Sequence, residues 1–213
     1  DLRADDVIFL AGNTQHPEES LAIDTFRTLQ GEYPELKLIL VPRHPERFEE
    51  VGRLLDAEQL PWQRRTLLSD TEQPTREARI LLIDTVGELS AWWGRADIGF
   101  VGGSLSTRGG QNRIEPAAYS VAVCFGPHTH NFRDIVMALK SADAVTVVEN
   151  GKDLTAFVRR CLSDRVYRKT MGERASSLVI SSRGATQQTV KCLLDAVDHS
   201  HSSHSLLPKS TAA

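Results

Sequence analysis

The sequence is poor in cysteine and contains no long hydrophobic run. Its 213 residues include three cysteines, Cys124, Cys161 and Cys192, which are too few and too widely spaced for a disulfide framework or a zinc motif. This usage favours a reducing compartment. No uninterrupted apolar run exceeds five residues, whereas a membrane-spanning helix needs about 20. Within these residues the sequence therefore excludes a disulfide-stabilised scaffold and a membrane span.

Neither sign of charge dominates the chain. It carries 25 Lys and Arg residues against 28 Asp and Glu residues, a net charge of −3. Proteins that bind nucleic acid through bulk positive charge are strongly basic, so we expect no nucleic-acid partner. At 40% hydrophobic and 25% charged, the composition is that of a globular protein with a core. The chain starts at Asp1 without a signal peptide, and we expect it to be a segment of a longer protein.

Short runs of Val, Ile and Leu recur along the chain and predict β-strands. The runs are nearly continuous instead of alternating with polar residues, which is typical of parallel strands buried on both faces. Six runs are clear, and a seventh, Arg65–Leu68, is weaker. The clear strand candidates are Val7–Ala11, Leu36–Val41, Ile80–Ile83, Ile98–Val101, Val121–Phe125 and Ala144–Val148.

Amphipathic stretches with helical spacing lie between these runs. The alternation of strands and helices predicts right-handed βαβ units and a doubly wound parallel sheet, which is an α/β, Rossmann-like fold. After Arg165 the strands end, and two C-terminal helix patterns follow. Ligands of such sheets bind beyond the carboxyl ends of the strands, so the loops there form the candidate site. The helix candidates are Pro17–Leu29, Pro45–Leu55, Val86–Trp93, Glu115–Tyr119, Phe132–Leu139 and Leu154–Leu162.

The patterns predict one folded domain over residues 1–198 and a tail over residues 199–213. The tail is rich in Ser and His, and its composition favours disorder over a metal site made by three histidines. The last helix pattern has an apolar stripe on one side, which packs either on the domain's own sheet or on another part of the protein. The stripe consists of Val190, Leu193, Leu194 and Val197.

A glycine-rich loop follows the strand candidate that ends at Val101. In this loop Gly102-Gly103-Ser104 and Gly109-Gly110 lie on either side of Arg108. Glycines let backbone N–H groups approach an anion closely, as at phosphate sites, but a flexible turn explains the glycines equally well. The loop matches neither the dinucleotide-binding fingerprint nor a P-loop.

Glu115 stands where a helix begins, since the Pro116 that follows it is typical of a first helical turn. A carboxylate at this point either caps the helix or accepts hydrogen bonds from the two hydroxyls of a ribose. The position beyond a parallel strand and beside the glycine-rich loop favours the ribose.

Two further loops follow the second and third clear strand candidates. Pro42-Arg43-His44 is either a solvated basic turn or a site for a phosphate or an acidic sugar. Thr85 and Glu88 have the spacing of a capping box, which is a purely structural role. The backbone at Val86–Glu88 nevertheless lies on the ligand side of the sheet.

A histidine-containing loop follows the strand candidate that ends at Phe125. His128 is a candidate contact for an anion or a sugar. His128 and His130 without a nearby carboxylate make a poor metal site, so we expect no metal ion here.

Five motifs in these loops together resemble those of 3-deoxy-D-manno-octulosonic acid (Kdo) transferases, the enzymes that attach Kdo to lipid A. Each motif alone is weakly specific, but their order and spacing follow the family from about Val7 to about Asp195. The motifs are Pro-Arg-His-Pro-Glu-Arg (42–47), Asp-Thr-Val-Gly-Glu-Leu (84–89), Phe-Val-Gly-Gly-Ser-Leu (100–105), Gly-Gly-Gln-Asn-Arg-Ile-Glu-Pro-Ala-Ala (109–118) and Gly-Pro-His-Thr-His-Asn-Phe-Arg-Asp-Ile (126–135).

The resemblance implies the GT-B glycosyltransferase architecture, in which two Rossmann-like domains face each other across a cleft. The chain is similar to the C-terminal, donor-binding half. The implied donor is CMP-Kdo, and the implied transfer inverts the anomeric centre without a metal ion or a cofactor. The CMP-binding positions of the family correspond to Pro42, Arg43, Val86, Gly87, Glu88, Asn112, Arg113, Ile114 and Glu115. The positions expected near the phosphate or the sugar are Gly102, Gly103, Ser104, Arg108 and His128.

The resemblance also implies what lies outside this chain. The family's general base is a glutamate of the N-terminal half, which also carries the membrane anchor and meets the lipid A precursor. We therefore expect no catalytic residue in this chain and no Kdo transfer by the chain alone. The complete protein is expected at the cytoplasmic face of the bacterial inner membrane, in lipopolysaccharide synthesis, whereas the fragment itself is expected to be soluble.

The chain departs from the family at two positions. Gln15 stands where the family commonly has histidine, and a glutamine cannot carry a positive charge to the donor. Arg113 stands where proline is frequent, which makes the loop leading into Glu115 less rigid. The acidic pair Glu18-Glu19 matches the family.

Two other functions stay open at this point. A nucleotide-sugar epimerase of the same two-domain architecture also places a carboxylate on a ribose, but it would bind a uridine nucleotide. A nucleotide-binding module without any catalytic role is the second alternative. Titration of CMP against UDP distinguishes the first alternative from a Kdo transferase.

Overall fold

The structure is a computed structural model, and the chain divides into two compact units, Asp1–Val179 and Ile180–Ala213. It describes residue 3, residues 5–68, residues 78–181, residue 190 and residues 192–195.

A seven-stranded parallel sheet forms the centre of the first unit. The strand order is β3-β4-β2-β1-β5-β6-β7, and every neighbouring pair is parallel. The chain leaves β1 toward β2 on one side and returns to β5 on the other, so the topological switch point lies between β1 and β5. The predicted doubly wound α/β fold is confirmed. The strands are β1 (Val7–Thr14), β2 (Leu36–Pro42), β3 (Trp62–Arg64), β4 (Ile80–Leu82), β5 (Ile98–Val101), β6 (Ala122–Phe125) and β7 (Val145–Val147).

Helices cover both faces of the sheet. Each follows or precedes a strand as the alternation of patterns predicts, and two short helices lead from β4 and β5 toward the next strand. The helices are α1 (Glu18–Leu29), α2 (Phe48–Ala57), α3 (Leu89–Trp93), α4 (Ile114–Ala118), α5 (Arg133–Ser141), α6 (Gly151–Ser163) and α7 (Arg165–Ser181).

The prediction of a strand over Arg65–Leu68 is wrong. The strand in this region is β3, and a 3-10 turn over Arg65–Leu67 follows it. Asp84 stabilises that turn, because its carboxylate accepts hydrogen bonds from the backbone N–H of Thr66 at 2.9 Å and from its hydroxyl at 2.6 Å. These bonds draw the segment out of the sheet.

The prediction that a helix begins at Val86 is also wrong. Helix α3 begins at Leu89, three residues later, and Glu88 is its N-cap without a side-chain capping bond. Gly87 has a φ of +92°, a left-handed conformation that cannot belong to an α-helix. The predicted capping box of Thr85 and Glu88 therefore does not form.

Two layers of apolar side chains explain the near-continuous strand runs. Successive residues of a strand point to opposite faces, and both faces of this sheet are buried. Phe9 and Leu40 pack beneath α1, α2 and α6, whereas Leu10 and Ile39 pack beneath α3 and α5. The ring of Trp93 is 1% exposed and lies on the second face.

Two of the cysteines belong to this core. Cys124 on β6 and Cys161 on α6 lie on the face covered by α1 and α6, and both are buried. Burial raises the pKa of both thiols, that of Cys161 to about 12. Cys192, in the second unit, is exposed.

The described part of the second unit is helical at Val190 and at residues 192–195. Of the predicted apolar stripe, Val190, Leu193 and Leu194 are exposed. Val197 lies outside the described residues, and so does the predicted tail over 199–213. Packing of the stripe on another part of the protein stays a prediction, as does the division into residues 1–198 and 199–213.

Candidate functional site

A cleft of about 520 Å³ lies at the carboxyl ends of the central strands. Its walls come from the loops that follow β1, β2, β4 and β5 and from the segment before α5. This is the edge of a doubly wound sheet at which ligands bind. The residues that line it include Asn13, Pro42, Arg43, Phe48, Thr85, Val86, Gly87, Ser90, Gln111, Asn112, Glu115 and Phe132.

Most of the positions that the resemblance assigns to CMP line this cleft. Although they are distant in the sequence, six of the nine come together here. Those six are Pro42, Arg43, Val86, Gly87, Asn112 and Glu115. The remaining three, Glu88, Arg113 and Ile114, do not line the cleft. Contact of any of the nine with a nucleotide stays a prediction.

The carboxylate of Glu115 is available to a ligand. It is partly buried at the cleft wall, and among the described residues it has neither a hydrogen-bond partner nor an ion-pair partner. The N-cap of α4 is Arg113, and no side chain caps the helix; the side-chain oxygen of Asn112 accepts a hydrogen bond from the backbone N–H of Ile114, the first helical residue, at 3.0 Å. Because Glu115 makes no capping bond among the described residues, the capping explanation for it loses its support.

The carboxylate of Glu88 is engaged away from the cleft. It accepts hydrogen bonds from Nε of Arg65 at 3.0 Å and from Nε1 of Trp92 at 3.2 Å. These contacts fix the entry to α3 against the 3-10 turn that follows β3. If Glu88 contributes to a nucleotide site, it does so by placing the loop that carries Val86 and Gly87.

Arg113 is a buried cation without a carboxylate partner among the described residues. Its side chain is 0% exposed, and Nη1 donates to the backbone carbonyl of Gln111 at 2.9 Å. The guanidinium lies 4.4 Å from the ring centroid of Phe125 and 5.6 Å from that of Phe132. Nε and Nη2 have no hydrogen-bond partner in the described part of the chain. Burial lowers the pKa of Arg113 to about 10.

Gly110 makes room for this guanidinium. A Cβ atom at Gly110 would lie 2.0 Å from Nη2 of Arg113, and Gly110 has a φ of +77°. Both its conformation and its lack of a side chain are therefore required where Arg113 packs.

The amides of the glycine-rich loop bind a carboxylate of the chain itself. The backbone N–H groups of Gly103, Ser104 and Leu105 donate to Glu18 at 2.7, 2.9 and 3.0 Å. The sequence left this loop open between an anion site and a flexible turn, and it marked Glu18 only as part of an acidic pair that matches the family. Gly103 and Ser104 stay predicted neighbours of the phosphate or sugar, but their amides already have an acceptor.

Ser104 is fully buried, and its hydroxyl has structural partners. The hydroxyl donates to the carbonyl of Val101 at 2.6 Å and accepts from the N–H of Gly126 at 2.8 Å. The carbonyl of Ser104 accepts from the N–H of His128 at 3.1 Å. Ser104 thus ties the loop after β5 to the loop after β6.

The remaining predicted positions lie outside the cleft wall. The side chains of Arg108 and His128 are exposed, and Gly102 packs against the backbone of Asn13 and Thr14. A Cβ atom at Gly102 would come within 2.5 Å of the Asn13 carbonyl oxygen, which explains the glycine without a ligand. These positions stay predictions for the bound state.

Gln15 is buried where β1 ends. It is 6% exposed, and its Oε1 has no hydrogen-bond partner among the described residues. The same holds for the hydroxyl of Thr14, which is 0% exposed. Unpartnered buried polar atoms are costly and mark places where a polar ligand or water completes the site. The effect of glutamine in place of histidine stays a prediction.

Several cleft residues were missed by sequence reasoning. Asn13, Phe48, Gln111 and Phe132 line the cleft but were not predicted as site residues. For Asn13 and Gln111 a signal existed, since Asn13 lies at the end of β1 and Gln111 in the loop after β5, the two strands of the switch point. Phe48 and Phe132 resemble core residues in sequence and could not be separated from them.

The positive charge at the cleft comes from Arg43. Its side chain is exposed, it lies 3.5 Å from the side-chain oxygen of Asn13, and it has no carboxylate partner in the part of the chain that the structure describes. A guanidinium and a carboxylate that line the same cleft, neither with an ionic partner among the described residues, suit a ligand that has both an anionic group and hydroxyl groups.

The described ranges contain neither a candidate metal site nor a candidate membrane span. No group of three or more His, Cys, Asp or Glu side chains there is arranged to hold a metal ion. Every described helix is too short or too polar to cross a bilayer.

Comparison with known proteins identifies relatives over most of the chain. The 3-deoxy-D-manno-octulosonic acid transferase of Haemophilus influenzae is 36% identical over 192 residues, which are 90% of this chain and 44% of that protein. The enzyme of the same name from Bordetella pertussis is 33% identical over 192 residues, 89% of this chain and 44% of that protein. The chain thus spans less than half the length of these relatives. No protein-family model matches it.

A solved structure agrees with these relatives. The C-terminal CMP-Kdo binding domain of WaaA from Acinetobacter baumannii has a TM-score of 0.76 and 28% sequence identity to this chain, and the match covers 83% of this chain and 90% of that domain. The fold, the strand-end motifs and the relatives agree with one another. The chain belongs to the Kdo transferase family and corresponds to the C-terminal, Rossmann-like domain of its GT-B architecture.

Proposed function

We propose that this chain is the donor-binding domain of a Kdo transferase and that its cleft holds the nucleotide of CMP-Kdo. The cleft is the observation that carries the proposal. Six positions that the resemblance assigns to CMP, spread from Pro42 to Glu115, line one cavity at the carboxyl ends of parallel strands. The likeness to a CMP-Kdo binding domain supports the choice of donor.

Within this proposal the residues have distinct tasks. Glu115 accepts hydrogen bonds from the ribose hydroxyls, because its carboxylate is unpartnered and faces the cleft. Arg43 supplies positive charge for the phosphate or for the carboxylate of the sugar. The loop at Val86 and Gly87 contributes apolar surface and backbone groups, since Val86 is 78% exposed at the cleft wall.

The complete protein would transfer Kdo by direct displacement. A hydroxyl of the lipid A precursor attacks the anomeric carbon, its proton passes to a general base, and the bond between that carbon and the phosphate oxygen breaks. CMP leaves, and positive charge and hydrogen-bond donors stabilise the phosphate. The general base is assigned to the N-terminal half of the family. This chain holds and orients the donor, without a metal ion or cofactor.

The same proposal specifies the binding partners and the cellular location of the complete protein. Its partners are CMP-Kdo and, through the N-terminal half, a lipid A precursor, and it acts in lipopolysaccharide synthesis at the cytoplasmic face of the inner membrane. The support is the resemblance together with the relatives of the same family.

Titration calorimetry with CMP, UDP and cytidine tests the donor. We expect CMP to bind weakly, UDP to bind less well than CMP, and cytidine to bind less well than CMP because it lacks the phosphate. Preference for UDP over CMP would favour the epimerase instead. Absence of binding by either nucleotide would contradict a nucleotide site in this cleft.

A further inference from the structure

Glu18, the first residue of α1, is an acid buried among backbone donors. Its side chain is 0% exposed, and no cationic side chain lies within ion-pair distance among the described residues. Its carboxylate accepts four backbone hydrogen bonds, from Gln15 at 3.0 Å, Gly103 at 2.7 Å, Ser104 at 2.9 Å and Leu105 at 3.0 Å.

This arrangement makes the acid and the loop dependent on each other. A buried carboxylate is costly unless hydrogen bonds replace its hydration, and four N–H donors supply that replacement. Conversely, Gly103, Ser104 and Leu105 turn consecutive N–H groups inward, and these groups would be unsatisfied without an acceptor. Hydrogen bonds to an ionised acceptor are shorter and stronger than neutral ones, so the loop has one favoured shape.

The loop that Glu18 binds leads directly to the cleft. Gln15 follows β1 and Gly103 follows β5, so the carboxylate joins the two strand-end loops across the topological switch point. The carbonyl of Gly103 accepts a hydrogen bond from the N–H of Gly110 at 2.8 Å. Gly110 is followed by Gln111 and Asn112, which line the cleft.

We propose that Glu18 is a positioning residue for donor binding. It fixes the glycine-rich loop in the shape that places Gln111 and Asn112 at the cleft, and it satisfies the amides of Gly103–Leu105 that a donor phosphate would otherwise bind. The phosphate is then held by other groups, and Arg43, whose guanidinium has no carboxylate partner among the described residues, is the cationic candidate in the cleft wall. The link to donor binding rests on the proposed function, whereas the link to the loop does not.

The neighbouring acid offers a matched control. Glu19 is 1% exposed on the same helical turn, and it binds Arg47 through Nε at 3.2 Å and Nη2 at 3.1 Å. Among the described residues its carboxylate makes no hydrogen bond to the glycine-rich loop. Glu19→Gln therefore removes a buried negative charge from α1 without touching the amides of Gly103–Leu105.

The experiment combines amide exchange by NMR with calorimetric titration of CMP, for the wild type, Glu18→Gln, Glu18→Asp and Glu19→Gln. In Glu18→Gln we expect exchange at Gly103, Ser104 and Leu105 to accelerate about tenfold or more, and the CMP dissociation constant to rise about tenfold, because an amide presents one acceptor oxygen and two competing donors. Glu18→Asp keeps the negative charge, so its amide exchange rates and its CMP dissociation constant should lie between those of the wild type and those of Glu18→Gln. Glu19→Gln should leave exchange at these three amides unchanged.

Unchanged exchange at the three amides in Glu18→Gln would overturn the role of Glu18. The wild type provides a test that does not depend on a variant that folds. If CMP shifts the amide protons of Gly103–Leu105 more than any others, the phosphate has taken the place of Glu18 and the proposal is wrong. Slow exchange at these amides in a wild type that binds no CMP would instead contradict the proposed function alone.

Discussion

Three acids at the same edge of the sheet show how residue context separates structural from ligand-binding carboxylates. Glu18 is bound by four backbone N–H groups, and Glu88 is bound by Arg65 and Trp92. Glu115 lines the cleft with no partner among the described residues. In sequence all three are glutamates beside a predicted helix start, so only their surroundings identify the one that is free to bind a ribose.

Replacement of Glu115 by glutamine should weaken CMP binding. In the proposed complex the carboxylate accepts two hydrogen bonds from the ribose hydroxyls and an amide would accept fewer, so we expect a loss of about 1–3 kcal/mol of binding free energy. Titration calorimetry with CMP at one fixed salt concentration measures this change in binding free energy. Glu173→Gln, the same change at an exposed helix position outside the cleft, is the control. Equal affinity in the wild type and Glu115→Gln would remove Glu115 from the site.

The buried charge of Arg113 should destabilise the folded state. Its pKa is lowered to about 10 by burial, below that of an exposed arginine, so folding disfavours its charged form and the penalty is fully present at neutral pH. Arg113→Met removes the charge and keeps apolar contact with Phe125 and Phe132. We expect the free energy of unfolding in urea to rise by about 1 kcal/mol.

Arg95→Met, at an exposed position, is the control for this substitution and should leave the free energy of unfolding unchanged. A clear loss of stability in Arg113→Met would mean that the contact with Gln111 and the two rings outweigh the desolvation of the guanidinium. If Arg113→Met is more stable than the wild type but binds CMP less well, then Arg113 lowers the stability of the domain and strengthens CMP binding.

At the scale of elements, the packing of α3 on the sheet depends on two glycines in adjacent strands. A Cβ atom at Gly12 on β1 would lie 2.6 Å from the Trp93 ring, and one at Gly99 on β5 would lie 2.9 Å from it. The large ring is thereby fitted against the backbone at the switch point, directly beneath the loops that carry the cleft.

Gly12→Ala should therefore destabilise the domain. The added methyl group displaces the Trp93 ring or the strand, and overpacking of this kind costs about 1–3 kcal/mol. Chemical denaturation followed by tryptophan fluorescence measures the change. Gly31→Ala has open space around the new methyl group and is expected to leave stability nearly unchanged. Equal stability of Gly12→Ala and Gly31→Ala would show that the Trp93 ring moves freely.

The strands were predictable where burial on both faces required an apolar run. β1, β2, β4, β5, β6 and β7 all coincide with clear runs. Strand β3 could not be predicted in this way, because it lies at the edge of the sheet and its residues are only partly buried. Its sequence, Trp62-Gln63-Arg64, contains no apolar run. The weaker run beside it belongs to the 3-10 turn.

The site was predictable to the extent that it consists of loops after strands. That rule, with the resemblance, gave six positions of the cleft wall, from Pro42 to Glu115. Three of the four backbone donors to Glu18 could not be predicted, since they lie 85 to 87 residues away along the chain and no local pattern pairs them with Glu18. The burial of Arg113 was likewise hidden, because an arginine in a loop is ordinarily exposed.

At the scale of the whole molecule, the described chain contains a cleft wall but no group that sequence or structure assigns as the base of the transfer. The chain spans 44% of its relatives from Haemophilus influenzae and Bordetella pertussis. The remainder of those enzymes has no counterpart in these 213 residues. On the proposed function, we therefore expect donor binding and Kdo transfer to be separable.

The purified 213-residue chain should bind CMP weakly and transfer no Kdo. The reason is that the resemblance assigns the general base and the acceptor site to the other half of the enzyme. Incubation with CMP-Kdo and a lipid A precursor, followed by mass spectrometry of the lipid, tests this, with a complete Kdo transferase as the positive control. Transfer by the chain alone would show that it contains its own base.

The burial of two cysteines in the core has a practical consequence for the chemistry of the intact chain. Thiolates, and not thiols, react with maleimides, and burial both raises the pKa of Cys124 and Cys161 and shields them. We expect one equivalent of label on the native chain, at Cys192, and three in denaturant. Two or three rapidly labelled thiols in the native chain would contradict the burial.

The rate of covalent labelling of the two buried cysteines can then be used to measure how often the folded domain opens. The rate at which the second and third labels appear reports how often the sheet exposes its core, without a spectroscopic signal. A nucleotide that binds only the folded chain must slow that rate by mass action. Two buried sulfur atoms on one face of the sheet thus provide a reagent-based assay for ligands on its edge.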